Sequence, residues 1–303
     1  MALVTTARRR LRRSTVGCVD SFTHEGLIFE VIDGGPRDGA PVLLLHGFPQ
    51  DASAWAEVSE RLHEHGLRTL APHQRGYSPG ARPRRVSAYR LSHLVGDVLA
   101  LLDAAGLERA HIVGHDWGGA VAWTLAQHAP ERVASLTVLS TPFPRALAWA
   151  ARHADQARHS WYMAAFVLPV APERILARMM TNGAMVRQGV PSEHQDRYAA
   201  RLGTPQAMRG PLNWYRAALR PGGGRQRWHS LDEPSVLGAE PVQVPTTLVW
   251  GNRDPFLGRA AIERTAQYVE SDYRFVELDA GHWLPEKRPE QVAAEIVSRV
   301  EAR

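Results

Sequence analysis

Two kinds of hydrophobic pattern alternate along the first half of the chain. Residues 41–45, 110–113 and 136–139 are short and mostly aliphatic, which is typical of strands buried on both faces. Residues 22–32 predict two short strands joined by a turn. Residues 91–102 repeat their apolar positions at the spacing of an amphipathic helix. This alternation predicts an α/β fold with a mainly parallel central sheet flanked by helices.

The pattern changes after residue 144. Residues 145–239 contain no convincing buried strand, and their apolar and aromatic positions recur at helical spacing, interrupted by prolines. Strand character returns at residues 246–250, so we predict a helical cap inserted between two halves of one sheet. The predicted parts are a basic, disordered tail (1–16), the first half of the core (17–144), the cap (145–239) and the second half of the core (240–303).

Composition and charge narrow the class of protein. The chain has 303 residues, 44% hydrophobic content and a net charge of +5, and five arginines within residues 8–13 supply that excess. The tail is expected to be a solvated extension, with binding to an acidic surface as the alternative. No run approaches the roughly 20 apolar residues of a membrane helix, so we predict a soluble protein without membrane insertion. Because the positive charge is confined to the tail, we predict no nucleic-acid partner. Cys18 is the single cysteine, which excludes an internal disulfide and favours the cytoplasm.

An aspartate occupies a turn of the kind that presents a nucleophile. Gly114-x-Asp116-x-Gly118 lies between the predicted strand at 110–113 and a predicted helix over 120–128. The flanking glycines let strand and helix approach closely, while the central residue is held in a strained conformation. Asp116 is ionised at neutral pH, so it could attack an electrophilic carbon without a base and form an alkyl ester. The alternative is an aspartate that only caps the helix.

Two further polar residues follow predicted strands in the second half of the sheet. Asp254 comes after the strand at 246–250, and His282 follows the next strand. The order Asp116, Asp254, His282 is similar to the nucleophile, acid and histidine order of the α/β-hydrolase fold. In that arrangement Asp254 orients the imidazole, and His282 takes a proton from the water that cleaves the ester.

A glycine-containing turn, His46-Gly47-Phe48-Pro49, ends the predicted strand at 41–45. We predict that the backbone amide of Phe48 points into the site and forms an oxyanion hole with the amide of Trp117. For His46 and Gly47, a turn without any catalytic part is the alternative.

Together these motifs resemble the epoxide hydrolases of the α/β-hydrolase superfamily, from about residue 20 to the C-terminus. The motifs are His46-Gly47-Phe48-Pro49, Arg75-Gly76-Tyr77-Ser78, Gly114-His115-Asp116-Trp117-Gly118-Gly119, Asn213-Trp214-Tyr215-Arg216, Gly251-Asn252-Arg253-Asp254 and Gly281-His282-Trp283. The family implies a lid with two tyrosines that hydrogen-bond the epoxide oxygen and protonate it as the ring opens. Tyr215 matches one of them, Tyr162 is assigned to the other, and Tyr198 is the alternative to Tyr162.

The resemblance implies an enzyme that converts an epoxide to a vicinal diol through an ester at Asp116. Its partners would be a small-molecule epoxide and water, with no cofactor and no metal. Ring opening creates an alkoxide, which is far more basic than a phenolate, so a phenol with a pKa of about 10 is suited to protonate it. We expect an apolar pocket that includes His46, Pro49, Trp161, Met163, Phe166, Trp214 and Trp250.

Two other functions are compatible with this pattern. A haloalkane or haloacid dehalogenase would use the same Asp116 ester, with the indole N–H of Trp117 donated to the departing halide. Phe48 cannot supply a second halide donor, however, and Trp117 and Gly118 are not suited to hold a substrate carboxylate. The alternative of another class is a catalytically inactive ligand-binding protein of the same fold, although no part of the machinery is missing from the sequence.

Overall fold

An eight-stranded sheet forms the centre of the computed structural model, which describes residues 17–219 and 240–302. The strands are β1 (Ser21–His24), β2 (Leu27–Gly34), β3 (Pro41–Leu45), β4 (Arg68–Pro72), β5 (Ala110–His115), β6 (Val133–Leu139), β7 (Thr246–Gly251) and β8 (Tyr273–Leu278). Their order across the sheet is β1-β2-β4-β3-β5-β6-β7-β8. Strand β2 pairs antiparallel with β1 and with β4, and the pairs from β4 to β8 are all parallel.

Helices flank the sheet and fill the long connection between β6 and β7. Before β6 lie α1 (Ala56–Glu64), α2 (Leu91–Ala104) and α3 (Trp117–His128). The connection contains α4 (Pro144–His153), α5 (Gln156–His159), α6 (Tyr162–Phe166), α7 (Ala171–Thr181), α8 (Ala184–Arg187), α9 (Ser192–Leu202) and α10 (Pro205–Leu219). After β7 come α11 (Arg259–Arg264), α12 (Leu284–Lys287) and α13 (Pro289–Glu301). Short 3-10 helices occupy Ala52–Trp55, Pro79–Ala81, Val86–Tyr89, Pro130–Arg132 and Thr265–Tyr268.

The predicted α/β class with a mainly parallel sheet is confirmed. The predicted pair of strands within residues 22–32 is β1 and β2, and the aliphatic run at 41–45 is β3. Helix α3 begins at Trp117, earlier than the predicted start at residue 120, because the helix follows Asp116 directly.

Some predicted parts lie outside the described residues. These are the basic tail at 1–16 and the end of the predicted cap at 220–239, so the limits of the cap stay a prediction. Within residues 17–219 and 240–302, no helix combines the length and the apolar character needed to span a bilayer.

The central strands are buried on both faces, as their aliphatic composition predicts. In β3, Leu43 and Leu45 belong to one hydrophobic cluster, which also contains residues of α2 and α3. Val42 and Leu44 belong to a second cluster, with residues of α1 and α13. Alternate side chains of one strand therefore bury apolar surface on opposite sides of the sheet.

Helix α3 packs unusually closely on β3. A Cβ atom on Gly118 would collide with the backbone carbonyl oxygen of Leu45, and one on Gly114 would collide with the carbonyl oxygen of Gly118. Only glycine fits at these two positions, so the spacing that predicts the sharp turn has a steric cause.

A buried ionic cluster surrounds Arg75. Its guanidinium donates twice to the carboxylate of Asp97 on α2, at 2.8 and 2.7 Å, and once to the carbonyl oxygen of Ala88 at 2.9 Å. Glu25 accepts a further hydrogen bond from Arg75, and His24 contacts Asp97 at 2.7 Å. The side chain of Arg75 is only 1% exposed, so its charge depends on these partners.

Replacing Asp97 with alanine should destabilise the protein strongly, because it leaves the charge of Arg75 buried without its main partner. The expected loss in free energy of unfolding is about 3–5 kcal/mol, measured by urea denaturation. Asp103→Ala is the matched control on the same helix, since Asp103 is 69% exposed and pairs with Arg132 at the surface. Equal, small losses in both variants would contradict the assignment of Arg75 as a buried charge that depends on Asp97.

Candidate active site

Asp116 lies at the tip of the turn between β5 and α3. Its φ angle is 50° and its ψ angle is −120°, a region that residues with a side chain rarely adopt. Strain of this kind costs on the order of 1–3 kcal/mol and persists only where the surrounding packing imposes it. The carboxylate has room because residue 47 is glycine: a Cβ there would lie 2.5 Å from the Cβ of Asp116.

The two carboxylate oxygens of Asp116 face different partners. Oδ1 accepts a hydrogen bond from the backbone amide of Phe48 at 2.8 Å. The amide of Trp117 also hydrogen-bonds the carboxylate. Oδ2 lies 3.8 Å from Nε2 of His282. One oxygen is therefore held by the backbone, as an oxyanion would be, and the other lies towards the imidazole.

His282 is held from behind by a fully buried acid. Its Nδ1 lies 2.8 Å from Oδ2 of Asp254. The other oxygen of Asp254 accepts hydrogen bonds from the amides of Phe256 and Leu257, at 2.8 and 3.1 Å. With Asp254 fixed by the backbone, Nε2 of His282 is the ring nitrogen that faces Asp116.

Burial and charge shift the pKa values of these groups. Burial raises the pKa of Asp116, although His282 and the amides of Phe48 and Trp117 hold it down in part. Burial alone would lower the pKa of His282, but the carboxylates of Asp254 and Asp116 outweigh it and raise that pKa above 6.5. An imidazolium at His282 is thus stabilised by the acid behind it.

A mainly apolar cavity of about 510 Å³ opens over Asp116 and His282. Of the predicted pocket residues, Pro49, Trp161 and Phe166 line it, together with the side chain of Phe48. The remaining apolar wall includes Leu168, Ile175, Leu176, Met179, Met185, Phe256 and Trp283. An apolar molecule with one reactive polar centre suits such a cavity.

Two tyrosines share the cavity with Asp116. Tyr215 on α10 packs its ring against Trp117, with 5.0 Å between ring centroids, and Tyr162 opens α6 and packs against Phe256 at 5.4 Å. Burial raises the pKa of both phenols, and the charge of Asp116 acts in the same direction. Both hydroxyls therefore keep their protons at neutral pH and are available as donors.

Comparison with known proteins agrees with this geometry. Residues 40–289 match the model of the alpha/beta hydrolase fold family. The chain belongs to the α/β-hydrolase family. An AB hydrolase superfamily protein of Bacillus subtilis, YfhM, is 32% identical, over 87% of this chain and 91% of its own length. Epoxide hydrolase A of Mycobacterium tuberculosis is 31% identical, over 90% of this chain and 94% of its own length.

Solved structures give the same picture. The crystal structure of epoxide hydrolase A from Mycobacterium thermoresistibile is 28% identical in sequence and superposes with a TM-score of 0.74, covering 92% of this chain and 96% of that one. The predicted resemblance to epoxide hydrolases is therefore confirmed, and the chain is a hydrolase enzyme.

Four residues that the sequence predicts in the pocket lie outside the cavity wall. They are His46, Met163, Trp214 and Trp250. His46 is buried, and its Nε2 accepts a hydrogen bond from the amide of Gln74. The indole N–H of Trp214 donates to the carbonyl oxygen of Arg75 at 2.8 Å, and that of Trp250 donates to Leu257 at 3.0 Å. For His46, Trp214 and Trp250 the prediction is corrected because the polar atoms of their rings find hydrogen-bond partners within the core.

Tyr198 also lies away from the cavity. Its ring is buried, and its hydroxyl donates to Oε1 of Glu286 at 2.8 Å. Of the two candidates for the second tyrosine, the structure brings Tyr162 to the cavity beside Asp116 and directs Tyr198 into the core.

Several residues of the cavity wall were not predicted from the sequence. Leu176 and Met179 lie on α7, next to Ile175, and their helical spacing was the signal that could have identified an apolar face. Phe256 follows Asp254 by two positions, and its ring packs on His282 with 5.0 Å between centroids. Within residues 17–219 and 240–302, no cluster of His, Cys, Asp or Glu forms a set of metal ligands.

The raised pKa of His282 can be measured directly by NMR titration of the hydrolase labelled with ¹⁵N-histidine. The wild-type pKa should lie above 6.5, and Asp254→Asn should lower it, because the negative charge that stabilises the imidazolium is removed. The control is Asp279→Asn, which removes a carboxylate that is 73% exposed on the same loop and should leave the pKa in place. A His282 pKa that does not move in Asp254→Asn would contradict the pairing of these two residues.

Proposed function

We propose that this hydrolase opens epoxides to vicinal diols through an alkyl ester at Asp116. The proposal rests on the different partners of the two carboxylate oxygens of Asp116. Oδ1 accepts a hydrogen bond from the backbone amide of Phe48, whereas Oδ2 lies towards His282. The cavity in front of this carboxylate also contains the phenols that an epoxide oxygen requires. The two relatives from Mycobacterium that are named epoxide hydrolase A support epoxides as the substrate class.

In the first step, Oδ2 of Asp116 attacks an epoxide carbon, and the bond from that carbon to the ring oxygen breaks. Oδ2 becomes the ester oxygen, and the ring oxygen becomes a hydroxyl by taking a proton from Tyr162 or Tyr215. Because the two phenols keep their protons until an alkoxide develops, they donate only as the ring opens. This step needs no base, since Asp116 is the nucleophile in its ionised form.

In the second step, water attacks the carbonyl carbon of the Asp116 ester and gives a proton to Nε2 of His282. The negative charge that develops on Oδ1 is stabilised by the amides of Phe48 and Trp117. The intermediate then collapses, and the alkyl oxygen leaves as the second hydroxyl of the diol with the proton from His282. The proton released from the new carboxyl group then reprotonates the tyrosinate to tyrosine, so the balance is one epoxide and one water to one diol.

A dehalogenase is the second candidate, and one contact of Trp117 argues against it. A dehalogenase of this type would use the indole N–H beside the nucleophile to bind the departing halide. Here the ring of Trp117 packs edge-on against Tyr215 with 5.0 Å between centroids, and the Trp117 side chain acts to lower the pKa of that phenol, so the indole lies against the tyrosine. Phe48 offers only its backbone amide, which already donates to Asp116.

We also propose that the enzyme acts in the cytoplasm on small apolar epoxides. The single cysteine, Cys18, is exposed and free, which fits a reducing compartment. The apolar wall of the cavity fits substrates that carry little charge near the epoxide.

Replacing the base should trap the ester. His282→Gln keeps the nucleophile but removes the group that activates water, so hydrolysis of the ester should slow by about two to four orders of magnitude. Intact-protein mass spectrometry after mixing with styrene oxide should show a gain equal to the whole epoxide, and peptide mapping should place it on Asp116. The control is Asp116→Asn/His282→Gln, which should gain no mass.

The same variant separates the candidate functions. A gain only with 1-bromobutane, equal to the butyl group without bromine, would replace the epoxide proposal by the dehalogenase. Saturable binding of styrene oxide without any adduct or turnover would favour the inactive binding protein.

The two phenols should matter for ring opening rather than for ester hydrolysis. Tyr215→Phe and Tyr162→Phe should each slow single-turnover alkylation of Asp116, with the general-acid effect of about two to four orders of magnitude shared between them. Rapid-quench mass spectrometry measures alkylation, and Tyr273→Phe on β8, outside the cavity wall, is the control. Alkylation at the wild-type rate in either variant would remove the acid role from that tyrosine.

A further inference from the structure

Glu286 is a buried carboxylate behind the candidate site, and neither the proposed chemistry nor the sequence motifs use it. It lies on α12, four residues after His282, and is 7% exposed. Its Oε1 accepts hydrogen bonds from Nε2 of Gln50 at 2.7 Å and from the hydroxyl of Tyr198 at 2.8 Å. Its Oε2 is buried without a hydrogen-bond partner. A buried carboxylate with one unsatisfied oxygen is costly for stability, so its presence calls for another explanation.

Glu286 fixes the orientation of the Gln50 amide. Because the carboxylate accepts from Nε2 of Gln50, the amide oxygen of Gln50 must point the other way. That oxygen accepts a hydrogen bond from the backbone N–H of Gly47 at 3.0 Å and lies 2.7 Å from Nδ1 of His115. A flipped Gln50 would oppose its own NH₂ group to the Gly47 N–H and its oxygen to the Glu286 carboxylate, so only this orientation satisfies the contacts with Glu286 and Gly47.

Gly47 connects this orientation to the oxyanion hole. The residue that follows it is Phe48, whose amide donates to Oδ1 of Asp116. The hydrogen bond from Gly47 to Gln50 thus anchors the turn that carries the Phe48 amide. A shift of this amide by a fraction of an ångström would weaken the stabilisation of charge on Oδ1.

His115 lies between Gln50 and His282. Its Nε2 lies 2.9 Å from the backbone carbonyl oxygen of His282, and the two imidazole rings are 4.7 Å apart. Burial lowers the pKa of His115 well below 6.5, so the ring is neutral and carries one N–H. His115 can therefore donate to Gln50 or to His282 but not to both, and it does not pass the orientation of Gln50 on to the base.

We propose that Glu286 is a positioning residue of the active site, which acts through Gln50 and Gly47 on the Phe48 amide. The inference rests on the proposed ester mechanism, because the Phe48 amide stabilises the charge that develops on Oδ1 in ester hydrolysis. No new negative charge develops on Oδ1 when Asp116 attacks the epoxide. Loss of the Glu286 hydrogen bonds should therefore slow ester hydrolysis and spare alkylation.

Tyr198 extends this network into the helical connection between β6 and β7. It lies on α9, where Arg201 also pairs with Asp51 at 3.2 Å and with Glu30 at 2.8 Å. The hydroxyl of Tyr198 thus ties α9 to the same carboxylate that orients Gln50. Docking of the helical segment and alignment of the Phe48 amide share one buried group.

Charge and hydrogen bonding by Glu286 can be separated by two substitutions. Glu286→Gln removes the charge but keeps an oxygen that accepts from Gln50 and Tyr198, whereas Glu286→Leu removes both. The groups that face His282 are Asp116, Asp254, Glu286 and His115, and His194 faces Glu286. Because Glu286 raises the pKa of His282, both variants should shift the acidic limb of the hydrolysis rate to lower pH.

The decisive measurement is made on the plateau above that limb, where His282 is neutral in every variant. Single-turnover reactions with styrene oxide follow alkylation and ester hydrolysis separately. In Glu286→Leu, hydrolysis should fall on the order of tenfold to hundredfold with alkylation within about twofold of wild type. In Glu286→Gln, both rates should stay within about threefold of wild type. The matched control is Glu290→Leu, which removes a nearby glutamate that is 78% exposed and should change neither rate.

Each outcome has a distinct meaning. Unchanged hydrolysis in Glu286→Leu, or an equal loss in Glu286→Gln, would overturn the positioning role. Equal slowing of alkylation and hydrolysis would also overturn it, since that pattern indicates a general disturbance of the fold. If Glu286→Leu does not fold, Gln50→Leu removes the same hydrogen-bond connection. It should likewise slow ester hydrolysis and spare alkylation. Absence of any adduct in the wild type and in His282→Gln would instead reject the proposed function.

Discussion

The close approach of α3 to β3 is the constraint on which the active site depends. Gly118 lies against the carbonyl oxygen of Leu45, and no side chain fits between them. This contact leaves the chain a single residue in which to turn from β5 into α3, so Asp116 adopts a positive φ angle. Its carboxylate then lies beside the turn at Gly47 and Phe48, which ends the neighbouring strand β3. The proposed nucleophile and its proposed oxyanion hole are therefore both placed by one packing contact.

Polar groups in an apolar cavity must be oriented from behind, because the wall in front of them offers few hydrogen bonds. Asp254 shows how this is done: two backbone amides fix one of its oxygens, and the other is left for His282. Asp116 follows the same rule, with Oδ1 on the Phe48 amide and Oδ2 towards Nε2 of His282. Such preorganisation removes the need to reorient dipoles during the reaction, which is the larger part of electrostatic catalysis.

The sequence is informative where a local rule strongly favours one structure. An aliphatic run such as residues 41–45 favours a strand buried on both faces, and glycines spaced around Asp116 favour a tight turn. The wall of the cavity has no such rule. Trp214 is as apolar as Trp161, yet its indole N–H finds the carbonyl oxygen of Arg75 and draws the ring into the core. The burial of Glu286 could not be predicted from the sequence either, because a glutamate beside Lys287 and Arg288 resembles a surface residue. Its contact with Gln50 exists only in the folded chain.

The same buried charges that stabilise the core also determine where the second helical layer meets it. Asp97 holds the guanidinium of Arg75, and the turn that follows presents the carbonyl oxygen of Arg75 to Trp214 on α10. Helix α10 can reach this turn because residue 210 is glycine: a Cβ there would lie 2.5 Å from the Cα of Gly76. Tyr215 comes next in the chain after Trp214, so the contact of Trp214 with the turn helps to fix where the phenol of Tyr215 lies in the cavity. A helix that carries a reactive side chain needs such a fixed point, because an apolar face alone allows it to slide or rotate on the core.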